Sequence, residues 1–110
     1  AEAARAQMPE LVEPLWQATE TLRETTEWLV NQPDLNDRFA GAVPYLKAFA
    51  RVLGGYYHLK AACAEPEPGP RTSLARFYIL RLLPEHMGLL AHARTGAADL
   101  YALSADQFAA

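Results

Sequence analysis

The three histidines are the residues of this chain best suited to metal chemistry. Helical proteins often bind metal ions through a Glu-x-x-His pair on each of two helices. The chain contains His58, His86 and His92, but the residue three positions before each of them is a glycine or a leucine. No H-E-x-x-H motif is present, and His86 and His92 are six residues apart, which puts them on different faces of a helix. The sequence therefore assigns no metal ligands.

Nucleophilic and nucleotide chemistry find equally little support. Covalent catalysis would need Cys63, the single cysteine, or a serine held against a base, and Cys63 stands among alanines at the end of a predicted helix. Neither a GxGxxG loop nor a Walker lysine motif occurs. The glutamates between Glu10 and Glu27 fit the solvated face of a helix. We expect no catalytic or cofactor-binding residue here, and no enzyme activity from this chain on its own.

Four aromatic residues are candidates for a docking surface. Trp16 and Trp28 fall outside the apolar stripe of the first predicted helix, and Tyr56 and Tyr57 follow a pair of glycines. Some of these side chains belong to a core. Any that stay exposed would mark a docking surface, because monomeric proteins seldom expose large contiguous apolar patches.

The composition indicates one globular domain spanning residues 1–110. The chain is 51% apolar and 21% charged, and 110 residues suffice for one hydrophobic core. A net charge of −3 argues against nucleic acid as a partner. No apolar run is long enough to cross a membrane, no signal peptide is visible, and the lone cysteine suits a reducing compartment, so a cytoplasmic location is expected. The Ala-rich start, AEAARA, suggests a domain excised from a longer polypeptide.

Apolar spacing predicts two long helices in the first half of the chain. Apolar or small residues alternate at spacings of four and three from Leu11 to Leu29, which predicts a helix over 8–32. Gln32-Pro33 ends this helix, and Asp34 or Asn36 can cap the next one. The second helix is predicted over 35–64, and the same spacing recurs at Phe39, Val43, Leu46, Ala50, Leu53, Tyr57 and Ala61.

Proline and glycine punctuate the rest of the chain. Pro44 predicts a kink in the second helix, and Gly54-Gly55 predicts the close approach of a neighbouring helix. The segment EPEPGP forms an exposed connection to a third helix over 72–95, capped by Thr72 or Ser73. This helix is apolar nearly all round, which predicts a central position in the fold, with a kink at Pro84 eased by Gly88.

A short C-terminal helix completes the predicted architecture. It is expected over 97–103, and Ser104 with Gln107 forms a capping box for one last turn, with Phe108 anchoring the tail. Residues 1–32 hold six acids and two bases, whereas residues 33–64 hold two acids and four bases, so neighbouring helices are complementary in charge. The fold class is therefore all-α: an antiparallel bundle of three long helices plus a short C-terminal helix, resembling a four-helix bundle.

Three stretches of sequence carry a family resemblance. They are ATETLRETTEWLVNQ, AGAVPYLKAFARVLGGYYHLKAA and ARFYILRLLPEHMGLLAHARTGAADLYAL. Over residues 8–103 they resemble the C-terminal helical domain of acyl-CoA dehydrogenases, in the branch of 3-methylmercaptopropionyl-CoA dehydrogenase-like enzymes. The most specific matches are AVPYL followed by Gly54-Gly55, and ARFY followed by Leu83-Pro84 and Gly96.

The resemblance implies a parent enzyme whose chemistry lies outside these residues. Such an enzyme is a flavoprotein of fatty acid metabolism, an oxidoreductase that removes two hydrogens from the α and β carbons of an acyl-CoA, with FAD as hydride acceptor and a glutamate as base. None of those groups can be assigned to a residue of this chain. The resemblance implies that the bundle packs on the catalytic core, on a second subunit of a homo-oligomer such as a dimer, or on both.

A helical transcriptional regulator is the alternative interpretation. In that case the chain would be a ligand-binding and dimerisation domain. It would contain a cavity lined by Phe77, Tyr78 and Met87, and a two-fold interface between long helices. A ferritin-like metal oxidase is nearly excluded by the missing Glu-x-x-His pairs.

Overall fold

The computed structural model describes residues 8–109, apart from the side chain of Phe108. The described part consists of helices joined by short connections and has no strand, which confirms the predicted all-α class. The predicted anchoring by Phe108 and the Ala-rich start lie outside the described residues. The elements in chain order are α1 (Pro9–Val30), α2 (Leu35–Cys63), α3 (Pro70–Phe77), a π-helical turn (Tyr78–Leu82), a 3₁₀ turn (Leu83–Glu85), α4 (His86–Ala93), a second 3₁₀ turn (Ala98–Tyr101) and α5 (Ala105–Ala109).

The first two helices lie close to their predicted bounds. Pro9 occupies the first turn of α1, where a missing N–H breaks no hydrogen bond, and Pro14 is accommodated inside the helix. Asp34 caps α2: its Oδ1 accepts a hydrogen bond from the amide of Asn36 at 2.9 Å. Pro44 lies within α2 and is buried.

Side-chain contacts show that neighbouring helices run antiparallel. The Thr26 hydroxyl of α1 lies 2.6 Å from the Tyr45 hydroxyl of α2. Near the other end of the same pair, a Cβ placed on Gly55 would lie 3.0 Å from Leu15 Cδ1. Between α2 and the third helical segment, Pro70–Ala93, the Tyr78 hydroxyl donates to the carbonyl oxygen of Arg51 at 2.8 Å.

Glycines of α2 allow close helix contacts at two places, and the sequence predicts the one at Gly54-Gly55. Tyr78 packs over Gly54, and a Cβ there would lie 2.9 Å from Tyr78 Cζ. An equally close approach is at Gly41, where a Cβ would overlap the backbone carbonyl of Ala93. Glycine at position 41 therefore permits backbone contact between α2 and α4.

The third helical segment is interrupted at Pro84, where the sequence predicts a kink, but it differs from the single helix predicted over 72–95. It begins earlier, at Pro70, with Gly69 as N-cap, so the prediction that Thr72 or Ser73 caps it is wrong. In the π-helical turn the amide of Leu83 donates to the carbonyl of Tyr78, five residues back. Because Pro84 has no N–H to continue an α-helical ladder, this wide turn and the 3₁₀ turn that follows replace the regular hydrogen bonds.

The carboxylate of Glu65 supplies the cap that Thr72 and Ser73 do not. One oxygen accepts from the amide and hydroxyl of Thr72, at 2.8 and 3.0 Å, and the other accepts from the amide of Arg71 at 3.3 Å. Desolvation raises the pKa of the Glu65 carboxyl, but these hydrogen bonds and one from Gly69 together lower it by more. The pKa therefore lies below its ordinary value. The connection between α2 and α3 is thus closed by a charged side chain.

This cap predicts a stability loss in acid. A carboxyl whose pKa is depressed in the folded state contributes stability above its ordinary pKa and loses it as the pH falls through the lower, folded pKa. We therefore expect Glu65→Gln to destabilise the protein near neutral pH and to flatten its stability profile in that acid range. Urea denaturation as a function of pH tests this, with Glu67→Gln in the same connection as the control. Identical profiles for wild type and Glu65→Gln would contradict the prediction.

The C-terminal region departs from the predicted helix over 97–103. Only the 3₁₀ turn of Ala98–Tyr101 forms there, and its large apolar side chains, Leu100 and Tyr101, are exposed. The capping box is confirmed: the amide of Ser104 donates to Gln107 Oε1 at 2.7 Å, and the amide of Gln107 donates to Ser104 Oγ at 3.3 Å.

The core is a narrow seam between the three helical segments. Its fully buried large side chains are Leu11, Thr25, Ile79, Leu83 and Leu90. Each of the three segments contacts both of the others. The prediction that the third segment is buried on several sides is wrong, because it has an exposed apolar side with Leu74, Phe77, Leu80 and Met87. The molecule measures 62 × 30 × 16 Å, so it is thin in one direction.

Thr25 is a polar residue inside this apolar core. It is completely buried, and its hydroxyl has no hydrogen-bond partner among the described residues. Its neighbour Thr26 donates to the carbonyl of Leu22 at 2.8 Å and also contacts the Tyr45 hydroxyl. The buried Thr25 hydroxyl therefore lowers the stability of the fold, whereas the hydrogen-bonded Thr26 hydroxyl raises it.

We predict that Thr25→Val raises the free energy of unfolding by about 1 kcal/mol, because it removes a buried hydroxyl that forms no compensating hydrogen bond. Thr26→Val makes the same chemical change one residue later and should lower stability by about 1 kcal/mol. Chemical denaturation of both variants measures the difference. Destabilisation by Thr25→Val of the same size as by Thr26→Val would contradict this prediction.

Candidate docking surface

The four predicted docking residues lie on two different helices. Trp16 on α1 is 51% exposed, and Tyr56 and Tyr57 on α2 are 50% and 57% exposed. Trp28 is half-buried. The two tyrosine rings are in edge contact, with centroids 5.3 Å apart. In the described part of the chain, no ring contact joins either tryptophan to this pair.

The largest exposed apolar surface is on α2 and extends well beyond the tyrosines. The stripe that the sequence shows along this helix faces solvent, while the opposite side, with Gly41, Ala48 and Val52, packs against the bundle. We call the solvent-facing stripe the outer seam; it consists of Phe39, Val43, Leu46, Ala50, Leu53 and Tyr57. Phe49 and Tyr56 flank it and are also exposed.

Sequence reasoning missed most of this surface. It singled out bulky aromatic residues and passed over Phe39, Val43, Leu46 and Leu53, all of which are 42% to 68% exposed. A signal was available, because α2 has apolar or small residues on opposite sides, and a helix in a three-segment bundle cannot bury both.

A second apolar surface lies on the third segment. We call it the third-segment patch; it consists of Leu74, Phe77, Leu80 and Met87. Phe77 and Met87 are 53% and 61% exposed, so they do not line an internal cavity. The cavity expected for a transcriptional regulator, with Phe77, Tyr78 and Met87 as its walls, is therefore contradicted by their positions.

Two open grooves lie on the described part of the chain, and in each of them an arginine is paired with a glutamate. The first, of about 440 Å³, lies between the start of α1 and the 65–76 region; there Arg76 contacts Glu10 at 2.7 Å. A backbone hydrogen bond and the contact with Arg76 lower the pKa of Glu10. The second groove, of about 410 Å³, includes Lys47 and Tyr78, and there Arg51 contacts Glu85 at 3.0 Å.

Three of the residues considered for chemistry, His58, His86 and Cys63, are partly or fully buried, whereas His92 is exposed. His58 lies against the Tyr78 ring, with centroids 4.7 Å apart. His86 is buried, and its Nδ1 is 2.6 Å from the carbonyl oxygen of Leu83. Cys63 is half-buried. Within residues 8–109, no three His, Cys, Asp or Glu side chains are grouped closely enough to hold a metal ion.

No helix of the described part is both long enough and apolar enough to cross a lipid bilayer. The most extensive feature of the described surface is its exposed apolar side chains.

Comparison with known proteins identifies the family. The profile described as "Acetyl-CoA dehydrogenase C-terminal like" matches residues 1–104, nearly the whole chain. Searches of curated proteins and of solved structures found no match. The match agrees with the resemblance seen in the sequence, and this chain belongs to the acyl-CoA dehydrogenase family as a C-terminal domain.

Proposed function

We propose that this domain is a non-catalytic accessory domain that docks on the catalytic core of an FAD-dependent acyl-CoA dehydrogenase. The parent enzyme belongs to the 3-methylmercaptopropionyl-CoA dehydrogenase-like branch, acts in the cytoplasm and is a homo-oligomer. Its dehydrogenation chemistry takes place in preceding domains, and residues 1–110 form one unit excised from its C-terminus.

The observation that carries this proposal is the amount of apolar surface left exposed. The outer seam and the third-segment patch expose large side chains on two different segments of a 110-residue chain. Scattered apolar residues are normal at a protein surface, but contiguous stripes along helices are typical of surfaces that another protein covers.

The residues of this domain do not fit a flavin. A dinucleotide needs cations or helix-terminal amides for its diphosphate. Here Arg51 and Arg76, which line the two grooves, are each held by a glutamate. The start of α3 is occupied by the carboxylate of Glu65. We therefore assign the flavin to the core of the parent enzyme and derive no reaction step in this domain.

The third-segment patch is the surface that we assign to the core. Its members come from both ends of the segment, Leu74 and Phe77 before the π-helical turn and Met87 after it. A contact along this patch would cover the irregular turns as well as the side chains. It would also hold the domain in place without using any residue for catalysis.

Binding between separately produced polypeptides tests the proposal. The core of the parent enzyme, expressed without this domain, should retain FAD and bind the domain when the two are mixed. Phe77→Asp combined with Met87→Asp should weaken that binding at least tenfold, as measured by calorimetry. Gln17→Asp, which adds one negative charge on the polar side of α1 where the double variant adds two on the patch, should leave it unchanged. Circular dichroism would verify that both variants remain helical.

Two results would refute the proposal. The first is stoichiometric FAD bound to the isolated 110-residue chain, which would place cofactor chemistry within it. The second is the absence of binding between the core and the wild-type domain.

A further inference from the structure

We propose that the outer seam of α2 packs against the outer seam of a second copy of this chain, with the two α2 helices antiparallel across a two-fold axis. This inference rests on the proposed function only in that identical subunits associate. It assigns that association to a surface separate from the third-segment patch.

The spacing along the outer seam is that of a helix-pairing surface. Phe39, Leu46 and Leu53 are seven residues apart, and so are Val43, Ala50 and Tyr57. Two interleaved seven-residue repeats give a mean spacing of 3.5, the pattern by which two helices bury a continuous seam. Because the bundle buries the opposite side of α2, this repeat has no partner within the described residues.

The exposed area is sufficient for a stable pair. Seven large side chains on this side of α2 are 42% to 68% exposed: Phe39, Val43, Leu46, Phe49, Leu53, Tyr56 and Tyr57. With about 150–200 Å² for each side chain, roughly 700 Å² is available per copy. A symmetric contact would then bury about 1,400 Å², within the range of specific protein interfaces.

The seam is complementary to its own reversed sequence. When two such helices run antiparallel, positions of one repeat face positions of the other. If residue 50 faces residue 53 of the second copy, the small Ala50 receives the large Leu53 twice, once on each side of the axis. In the same register, Tyr57 faces Leu46. Large side chains thus meet small or flexible ones along the centre of the contact.

Charge selects this register over the nearest alternative. In an antiparallel pair, each side of the seam on one helix meets the same side of the seam on the other helix. Between positions 39 and 57, Lys47 is the one charged residue beside the seam, because Arg51 lies on the bundle side. If Ala50 faced Leu46 instead, the two Lys47 side chains would oppose each other. In the proposed register Lys47 lies beside Gly54 of the second copy on one flank of the seam. On the other flank Phe49 lies beside Tyr56, which pairs two aromatic rings.

A second copy also fits the ends of the seam. In the same register Val43 faces Lys60, whose aliphatic stem can cover it while the ammonium group stays in water. Phe39 extends to the position of Ala64 of the second copy. The contact therefore places no acidic group against the apolar seam, and it leaves the acidic side of α1 in solvent.

Sedimentation of the 110-residue chain is the first test. We expect a dimer whose mass halves in Leu53→Asp, while Leu80→Asp, an equally exposed leucine on the third-segment patch, leaves the dimer intact. Circular dichroism would verify that both variants keep wild-type helicity. A wild-type monomer at high concentration would overturn the inference, and so would loss of the dimer in Leu80→Asp alone.

Disulfide trapping then tests direction and register. In a Cys63→Ala background, Ala50→Cys mixed with Leu53→Cys should give a mixed disulfide as the main product. Mixing Ala50→Cys with Leu46→Cys should give much less. Homodimeric disulfides from each single variant as the dominant products would indicate parallel helices and overturn the antiparallel arrangement.

The same variants separate this inference from the proposed function. If Leu53→Asp abolishes the dimer but still binds the enzyme core, both proposals stand. If the wild-type chain is monomeric and Leu53→Asp abolishes binding to the core, the core covers the seam and the second copy does not. The inference would then fail while docking on the core survived.

Discussion

Leu83→Ala should lower the free energy of unfolding by about 2–5 kcal/mol, the range for removing a buried leucine without full collapse of the cavity. Leu83 is 1% exposed and lies in the 3₁₀ turn, where α1, α2 and the third segment meet. Its position depends on the wide and tight turns around Pro84. The variant therefore tests whether this irregular stretch places Leu83 in the core.

Leu80→Ala is the matched control, because Leu80 is also a leucine of the third segment but is 47% exposed. We expect it to cost less than about 1 kcal/mol, as surface substitutions usually do. Urea denaturation of the two variants gives both values. Equal losses would mean that the third segment is buried on several sides, as its composition alone suggests.

Gly41→Ala should lower the free energy of unfolding by about 2–3 kcal/mol, near the upper end of the range for overpacking. The added Cβ would overlap the carbonyl oxygen of Ala93 and would lie 3.0 Å from Leu29 Cδ2. A leucine side chain can rotate away, but the backbone of α4 can move only if the two helices separate. The loss should therefore appear in the equilibrium stability measured by denaturation.

Gly88→Ala, on the neighbouring helix α4, is expected to raise the stability and not to lower it. A Cβ at Gly88 would meet nothing within 4 Å. Alanine should then stabilise α4 by up to about 1 kcal/mol through its higher helix propensity. If the Gly41→Ala variant were as stable as the Gly88→Ala variant, α2 and α4 could not be in close contact at Gly41.

The order and bounds of the first two helices and the capping box near the C-terminus could be predicted from the sequence because they depend on local rules. Pro9, Asp34 and the Ser104–Gln107 box act within a few residues of their own positions, and each does what its residue type predicts. The capping role of Glu65 could not be predicted in this way. Its carboxylate reaches across a chain reversal to Thr72, and that geometry depends on the path of the whole connection.

The irregular turns of the third segment could not be seen in the hydrophobic periodicity, because their effects on helical phase cancel. The buried positions Ala75, Ile79, Leu83, Leu90 and Ala93 keep the phase of a regular helix over 18 residues, which is five α-helical turns. A π-helical turn adds residues per turn and a 3₁₀ turn removes them, so their effects on phase oppose each other. Periodicity therefore predicts one continuous helix, although Pro84 interrupts it.

The candidate site was predicted only in part, because spacing identifies an apolar stripe without saying which way it faces. For α1 the stripe from Leu11 to Thr25 is buried. For α2 the equally regular stripe from Phe39 to Tyr57 is exposed, and the buried side contains smaller residues such as Gly41 and Ala48. Close packing of backbones favours those small residues, and hydrophobicity scales rank them low.

The 16 Å thickness of the molecule links folding to assembly. A thin bundle has few side chains surrounded on all sides, so much of the hydrophobic stabilisation available to this sequence is realised only when a partner covers its faces. By mass action, its melting temperature should then rise with protein concentration. In a cell, subunits that have not yet assembled would present long apolar stripes to chaperones and proteases, which would remove them before they accumulate.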